Sequence, residues 1–516
     1  MRIGFIFLAI AALALESDRF LFHPLEDELE RGRFSEAQKT GERDKDPVVA
    51  PLAAMFQGDY ARAKQLIRKS KPPLDPLKSL GWERLTHYVD LMFYLEKRFA
   101  EEEVHGAMRW RAPARDQVLK GGARRAFEGC RKEVAAWLGV EPAQSTLIEI
   151  YRTKNDFASA STLGDELLKK SGVIGIAKFY RVMMITPEAL PFGYSWQDTL
   201  CHEYIHHALK VRTGLALPLW FQEGMARAHE ALWRGQGLEL SPGDREALLF
   251  AAKEGRLVEF VRMEPSLVYL KDEEEISLAF TQVALAVDQL KPKLKALVDS
   301  VAGGKTFAQS FKAVYGRPLE DFEKELHASW REQAQEKNLT KRSGALRTVL
   351  MMGEAESAEK LFLGPQIKHL LTLGDRLRVR GNGAAALRLY QQAREQEPAN
   401  PYVLSRIARA ESALGKREEA LITAKELARS NPSWPPVYEI LGEIYESRGL
   451  YKDAVGSYRR YFDFNPYHKE LYKKVAFLHI DLGEPRLALP LFEAALILDP
   501  KDAEAVEAQK AIKEKK

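Results

Sequence analysis

Apolar and small residues along the last third of the chain repeat with a period of 34 positions. Prolines stand at Pro398, Pro432, Pro466 and Pro500, alanines at Ala386, Ala420, Ala454 and Ala488, and glycines at Gly381, Gly415, Gly449 and Gly483. The third unit shows what each position does. Gly449 ends a first helix, where a left-handed residue costs least. Ala454 keeps the contact with the second helix close, and Pro466 closes the unit where no helix must continue. Tyr438, Leu441, Tyr445 and Tyr458 fill the seam between neighbours. One such helix pair cannot bury its own apolar face, so the pattern predicts a stacked, all-α solenoid over residues 366–510.

These units resemble the tetratricopeptide repeat, most clearly in "VYEILGEIYESRGLYKDAVGSYRRYFDFNP" (residues 437–466). The resemblance implies an array that binds protein partners. "GRFSEA" (32–37), "GDYARA" (58–63) and "GEAESA" (353–358) keep the same glycine-to-alanine spacing without the full period. They predict helical hairpins within 18–120 and at 340–365. Because solenoid units contact mainly their neighbours, removal of the chain from residue 366 onward is expected to leave the remainder folded.

Between the helical regions the texture changes. Ala123 to Leu138 reads as a helix, "STLIEIYRT" (145–153) as a β-branched strand, and Ser161 to Lys170 as another helix. "GVIGIAKFYRVMMITP" (172–187) reads as two short strands joined near Lys178 to Tyr180. "WQDTLCHEYIHHALKVRTG" (196–214) is a polar helix stopped by Gly214, and the chain from Pro218 to Arg331 is almost wholly helical.

That polar helix carries His202, Glu203 and His206 in the pattern H-E-x-x-H. Positions i and i+4 lie on one helical face, so both imidazoles reach a single zinc ion, while Glu203 points off that axis. A third ligand is offered by Glu223, in "LPLWFQEGMA" after a loop containing Gly214 and Pro218. The two motifs together look like those of the peptidase-MA-like, gluzincin-type zinc metallopeptidases, whose second motif is W-x-x-E-G-x-A. The resemblance covers residues 123–335. It implies an α+β zincin-like lobe binding one zinc ion (Zn2+) through His202, His206 and Glu223. Glu203 is then the general base of peptide hydrolysis, and "RVMMITP" the sheet edge along the cleft. Such relatives often carry a tyrosine hydroxyl C-terminal to the site; this chain has Phe280 there, with Tyr269 nearby in sequence. Asp198 is expected to orient His202 or cap the helix, His207 to point about 100° away from the ligands, and His229 to be structural.

Composition adds three expectations. Net charge is +4 from 77 basic and 73 acidic side chains with the signs interleaved, which is a solvated mixed surface and no nucleic-acid stripe. Ile3 to Leu15 is an apolar run too short to span a bilayer, and Ala12-Leu13-Ala14 fits a cleavage site, so residues 1–14 read as a signal peptide of an exported, periplasmic protein with no membrane span after cleavage. Cys130 and Cys201 are taken as two buried thiols. The expected protein is an exported zinc metalloendopeptidase with partner-recruiting repeats. The alternative is a repeat scaffold with a degenerate or low-activity peptidase domain.

Overall fold

The computed structural model describes residues 23–335 and 363–514, except for residues 74, 164–172, 239, 241 and 266. The expected signal peptide, most of the 340–365 hairpin and most of the Ser161 to Lys170 helix therefore lie outside the described residues. Among those described, no helix is long and apolar enough to cross a membrane.

The N-terminal region is helical at Glu26–Glu30, Phe34–Arg43, Val49–Phe56, Tyr60–Lys69 and Pro76–Leu95. The chain then forms two strands, β1 (Glu103–His105) and β2 (Met108–Arg111), in a stretch expected to be helical throughout. They belong to a five-stranded sheet with β3 (Thr146–Tyr151), β4 (Gly175–Lys178) and β5 (Arg181–Ile185), in the order β1-β2-β3-β5-β4. β2, β3 and β5 are parallel; β1 and β4 run antiparallel to their neighbours. The α+β lobe thus begins before residue 123. "RVMMI" is β5, an interior strand, and the edge beside the H-E-x-x-H helix is β4. Phe179 and Tyr180 form the β4–β5 turn with φ of 57° and 56°. That left-handed pair is held because buried Glu30 accepts both turn amides, at 2.9 and 3.2 Å.

One face of the sheet is polar yet buried. Glu149 of β3 accepts from Tyr60 (2.9 Å) and Tyr151 (2.8 Å) and pairs with Arg111 of β2 and Arg181 of β5, each at 3.4 Å. Arg181 also donates to Tyr88 at 2.6 Å. Tyr60 and Tyr88 come from N-terminal helices, so this network joins that region to the sheet.

Downstream, the polar helix runs from Trp196 to Thr213, followed by helices Leu219–His229, Pro242–Lys253, Glu273–Leu290, Leu294–Ala302, Phe307–Tyr315 and Leu319–Gln335. The repeats follow as four helical hairpins, beginning at Pro365, Pro401, Pro436 and Lys469, and a last helix, Ala503–Glu514. Gly381, Gly415, Gly449 and Gly483 have φ between +72° and +80°, and Ala386, Ala420, Ala454 and Ala488 are fully buried.

Two further expectations fail. Cys130 and Cys201 are joined in a disulfide between helix Lys120–Leu138 and helix Trp196–Thr213. Nor is the array a separate body: Tyr467, Tyr472, Phe492 and Leu498 belong to the same apolar core as the lobe. At that junction fully buried Asp116 accepts from Thr186 (2.7 Å), Tyr467 (2.5 Å) and Arg152 (3.2 Å). Tyr194 N–H donates to the Phe464 carbonyl at 3.2 Å, and Trp196 Nε1 to that of Phe462 at 3.3 Å. A Cβ on Gly193 would lie 2.1 Å from the Phe464 oxygen, so only glycine permits this approach.

Lobe and array should therefore melt together. Scanning calorimetry of the full chain is expected to show them in one transition, and Tyr467→Phe to destabilise it by about 1–3 kcal/mol, since Asp116 loses a donor while buried. A chain ending at residue 365 is expected to lose cooperative melting.

Candidate metal centre

Helix Trp196–Thr213 is amphipathic in neither sense. It is polar in sequence, yet 14 of its 18 residues are buried. It lies against β4, β5, helix Lys120–Leu138 and helix Leu219–His229. The second motif helix comes close because its small residues face helix Glu273–Leu290: a Cβ on Gly224 would meet the Val283 carbonyl oxygen at 2.6 Å. That accounts for glycine directly after Glu223.

The packing brings the three expected ligands together. His202 Nε2 and His206 Nε2 lie 3.2 Å apart, and Glu223 Oε2 is 3.4 Å from the first and 3.5 Å from the second. A tetrahedral zinc ion with bonds of about 2.0–2.1 Å sets neighbouring donors ~3.3 Å apart. Two imidazoles and a carboxylate at these separations fit such an ion. All three side chains are largely but not wholly covered.

Glu203 lies beside this group and not in it. A Cβ on Gly175 would come within 2.9 Å of Glu203 Cγ and 3.0 Å of its Oε1, so the start of β4 rests on the Glu203 side chain. The two carboxylates have opposite surroundings. Burial lifts the Glu203 carboxyl above its usual range, only partly opposed by His202 and His206. Burial also acts to lift Glu223, but the charge of His206 and hydrogen bonds from His202 and His206 hold it well below the usual range.

The neighbours sort out as follows. Asp198 neither caps the helix nor touches His202; it accepts from Trp233 Nε1 at 2.8 Å and from Arg234 at 3.1 Å. His202 Nδ1 instead meets Glu230 Oε2 at 3.2 Å. Glu230 was missed in the sequence, although it stands seven residues after Glu223, two turns on along the same face. Arg227 pairs with it in turn. His207 is buried between the Tyr180 and Tyr204 rings, and its imidazole is pushed down to about 3 by burial and by Lys210. His229 donates through Nδ1 to the Met225 carbonyl at 2.8 Å and packs on Trp137, a structural role. Phe280 packs against the main core, and Tyr269 is exposed.

Comparison with known proteins bears on the array. Residues 380–444 match the tetratricopeptide repeat family. The chain is 30% identical over 113 residues to small glutamine-rich tetratricopeptide repeat-containing protein 2 of Mycosarcoma maydis, covering 20% of this chain and 32% of that protein. It is 25% identical over 134 residues to TPR repeat-containing protein YpiA of Bacillus subtilis, covering 26% and 31%. It thus spans about a third of the length of these curated relatives. Among solved structures, a MamA crystal structure is 20% identical over 28% of this chain and 83% of that one, with a TM-score of 0.26. A tetratricopeptide repeat protein from Parabacteroides merdae is 22% identical over 29% and 60%, with a TM-score of 0.27. The C-terminal array is made of tetratricopeptide repeats. The family match and the curated relatives favour the scaffold reading over the peptidase reading.

Glu230 fixes which nitrogen of His202 is left for a metal. Glu230→Gln is expected to weaken zinc binding about 10–100-fold, read by competition with a chromogenic chelator, while the fold is retained.

Proposed function

We propose that the protein is a partner-binding repeat scaffold whose lobe carries a zinc-dependent peptide-hydrolysing centre. The scaffold half rests on the repeats, and the comparisons speak for it. One arrangement supports the hydrolytic half: three donor atoms at tetrahedral spacing, with a second carboxylate, Glu203, adjacent but outside the set. Three protein ligands are the number found in catalytic zinc sites, whereas structural sites use four. A structural site also has no use for a buried carboxylate at its side.

In this reading His202, His206 and Glu223 hold the ion, and Glu230 orients His202. Bound zinc supplies Lewis-acid polarisation of a peptide carbonyl. Glu203 takes a proton from the attacking water and returns it to the departing amine. Gly175 leaves room for that side chain. The Cys130–Cys201 bond supports export to an oxidising compartment such as the periplasm. The scaffold-only alternative draws on Phe280, which leaves that position without a hydroxyl.

Glu203→Gln separates the two. It preserves size and all three donors, so zinc content should match wild type while hydrolysis of a mixed peptide library falls about 10²–10⁴-fold. A zinc-loaded wild type that cleaves no peptide, in a chain whose repeats still capture partners, would leave the scaffold reading alone.

A further inference from the structure

Helix Lys120–Leu138 contributes no ligand to the metal centre, yet it holds the centre's supports at three places. Near its end the Trp137 ring lies on His229, with ring centroids 3.9 Å apart. At Gly129 a Cβ would lie 2.8 Å from the Trp233 carbonyl oxygen, so only glycine lets the two backbones approach. His229 and Trp233 bracket Glu230, whose Oε2 meets His202 Nδ1 at 3.2 Å. The third place is covalent: Cys130, beside Gly129, is bonded to Cys201, beside His202. Both cysteines are fully buried, and Cys201 Sγ lies 3.8 Å from the His229 carbonyl oxygen.

We infer that the Cys130–Cys201 bond is a redox-dependent positioning element: it seats Glu230 on His202, so the centre reaches full zinc affinity only after both thiols are oxidised. The inference rests on the zinc centre proposed above and not on peptide cleavage. Helix Lys120–Leu138 is one platform for both partners of a single contact. It holds Glu230 from two sides by packing, and His202 from one side by a bond. Two free thiols need more room than a bonded pair, and a close-packed interior yields room only by shifting its elements. In the reduced chain the platform moves off the metal helix and takes Glu230 with it. A ligand imidazole without its orienting carboxylate binds metal about 10–100-fold more weakly. Bond formation passes two protons and two electrons from the thiols to a disulfide-bearing oxidant, which leaves as two thiols. Both sulfurs are out of solvent reach in the folded lobe, so that exchange precedes closing of the lobe, and zinc loading follows it.

The test refolds the metal-free, full-length chain either with a thiol–disulfide pair or with a water-soluble phosphine, which keeps thiols reduced without the chelating sulfurs of a dithiol. Zinc alone is then titrated against a chromogenic chelator, with the thiol state counted by alkylation and mass spectrometry. The oxidised chain should bind zinc about tenfold or more tightly than the reduced one, at equal far-ultraviolet circular dichroism. Cys130→Val, which keeps an apolar side chain but cannot form the bond, should bind as the reduced chain does, and serves if that chain does not refold. In Glu230→Gln, reduction should cost less than about twofold, because the contact it loosens is already impaired. A folded, reduced chain that melts lower but binds zinc as tightly as the oxidised one overturns the inference, since the bond then staples the fold alone. Equal loss on reduction in Glu230→Gln overturns it too. So does failure of both the reduced chain and Cys130→Val to fold, which would make the bond a condition of the fold. An oxidised chain that takes up no zinc overturns the metal centre and this inference with it.

Discussion

A helix as polar as Trp196–Thr213 survives in a protein interior only if its buried polar groups find partners, because an unpaired one costs about 1–3 kcal/mol or more. Most of the helix meets that requirement through the rest of the lobe, Tyr204 Oη and His207 Nε2 being the exceptions, held instead among aromatic rings. Gln197 is met by the Gly122 carbonyl, Asp198 by Trp233 and Arg234, His202 by Glu230 and Glu223, and Lys210 by β4. Cys201 meets its demand covalently. The partners come from four separate elements, so the helix cannot shift toward one without abandoning another. Rigidity of this kind is what a ligand set needs, since donor spacing must hold to a few tenths of an ångström.

The same requirement extends to the array. Trp196, the first residue of that helix, donates to Phe462 in the third repeat, and the preceding Gly193 and Tyr194 lie on Phe464. Contact is made by segments between repeats, Trp434 near Phe192 and Phe462 to Tyr467, and by the helices of the last hairpin, with Tyr472 and Phe492 in the shared core and Leu498 against Arg115. The first helices of successive repeats are linked to one another by their own ion pairs, Asp375 to Arg406, Arg409 to Glu443, and Glu446 to Lys474. The array therefore docks by these segments and by its last hairpin, while the first two hairpins keep a core of their own.

The repeats were legible because sterics at single positions dictate their residue types. A left-handed turn calls for glycine and a close helix contact for alanine, and both recur at a fixed period. The meeting of His202 and His206 was legible for a related reason, since positions four apart share one helical face. β1 and β2 were not. A strand shows in a sequence when one face is apolar and the other polar, but Arg109 and Arg111 are tied up by Glu102 and Glu149, so charged residues occupy positions that read as solvent. The Cys130–Cys201 pair spans 71 positions, and nothing local marks a contact of that range. The shared core was hidden similarly: Tyr467 and Phe492 fit a repeat seam equally well whether they face another repeat or the lobe.

β4 shows why edge and interior were exchanged in the sequence reading. β5 is the more apolar and β-branched strand and was taken for the edge along the cleft. Yet every residue of β5 is buried, since strands flank it on both sides and the core covers its faces, and continuous apolar character is the mark of such an interior strand. β4 is short and three of its four residues are buried, so it carries no solvent-facing alternation that would mark it as the last strand of the sheet. Its polar groups are taken up by neighbours: Lys178 donates to Thr162 at 2.8 Å, the Ala177 carbonyl accepts from Lys210 at 3.0 Å, and Gly175 leaves Glu203 its space.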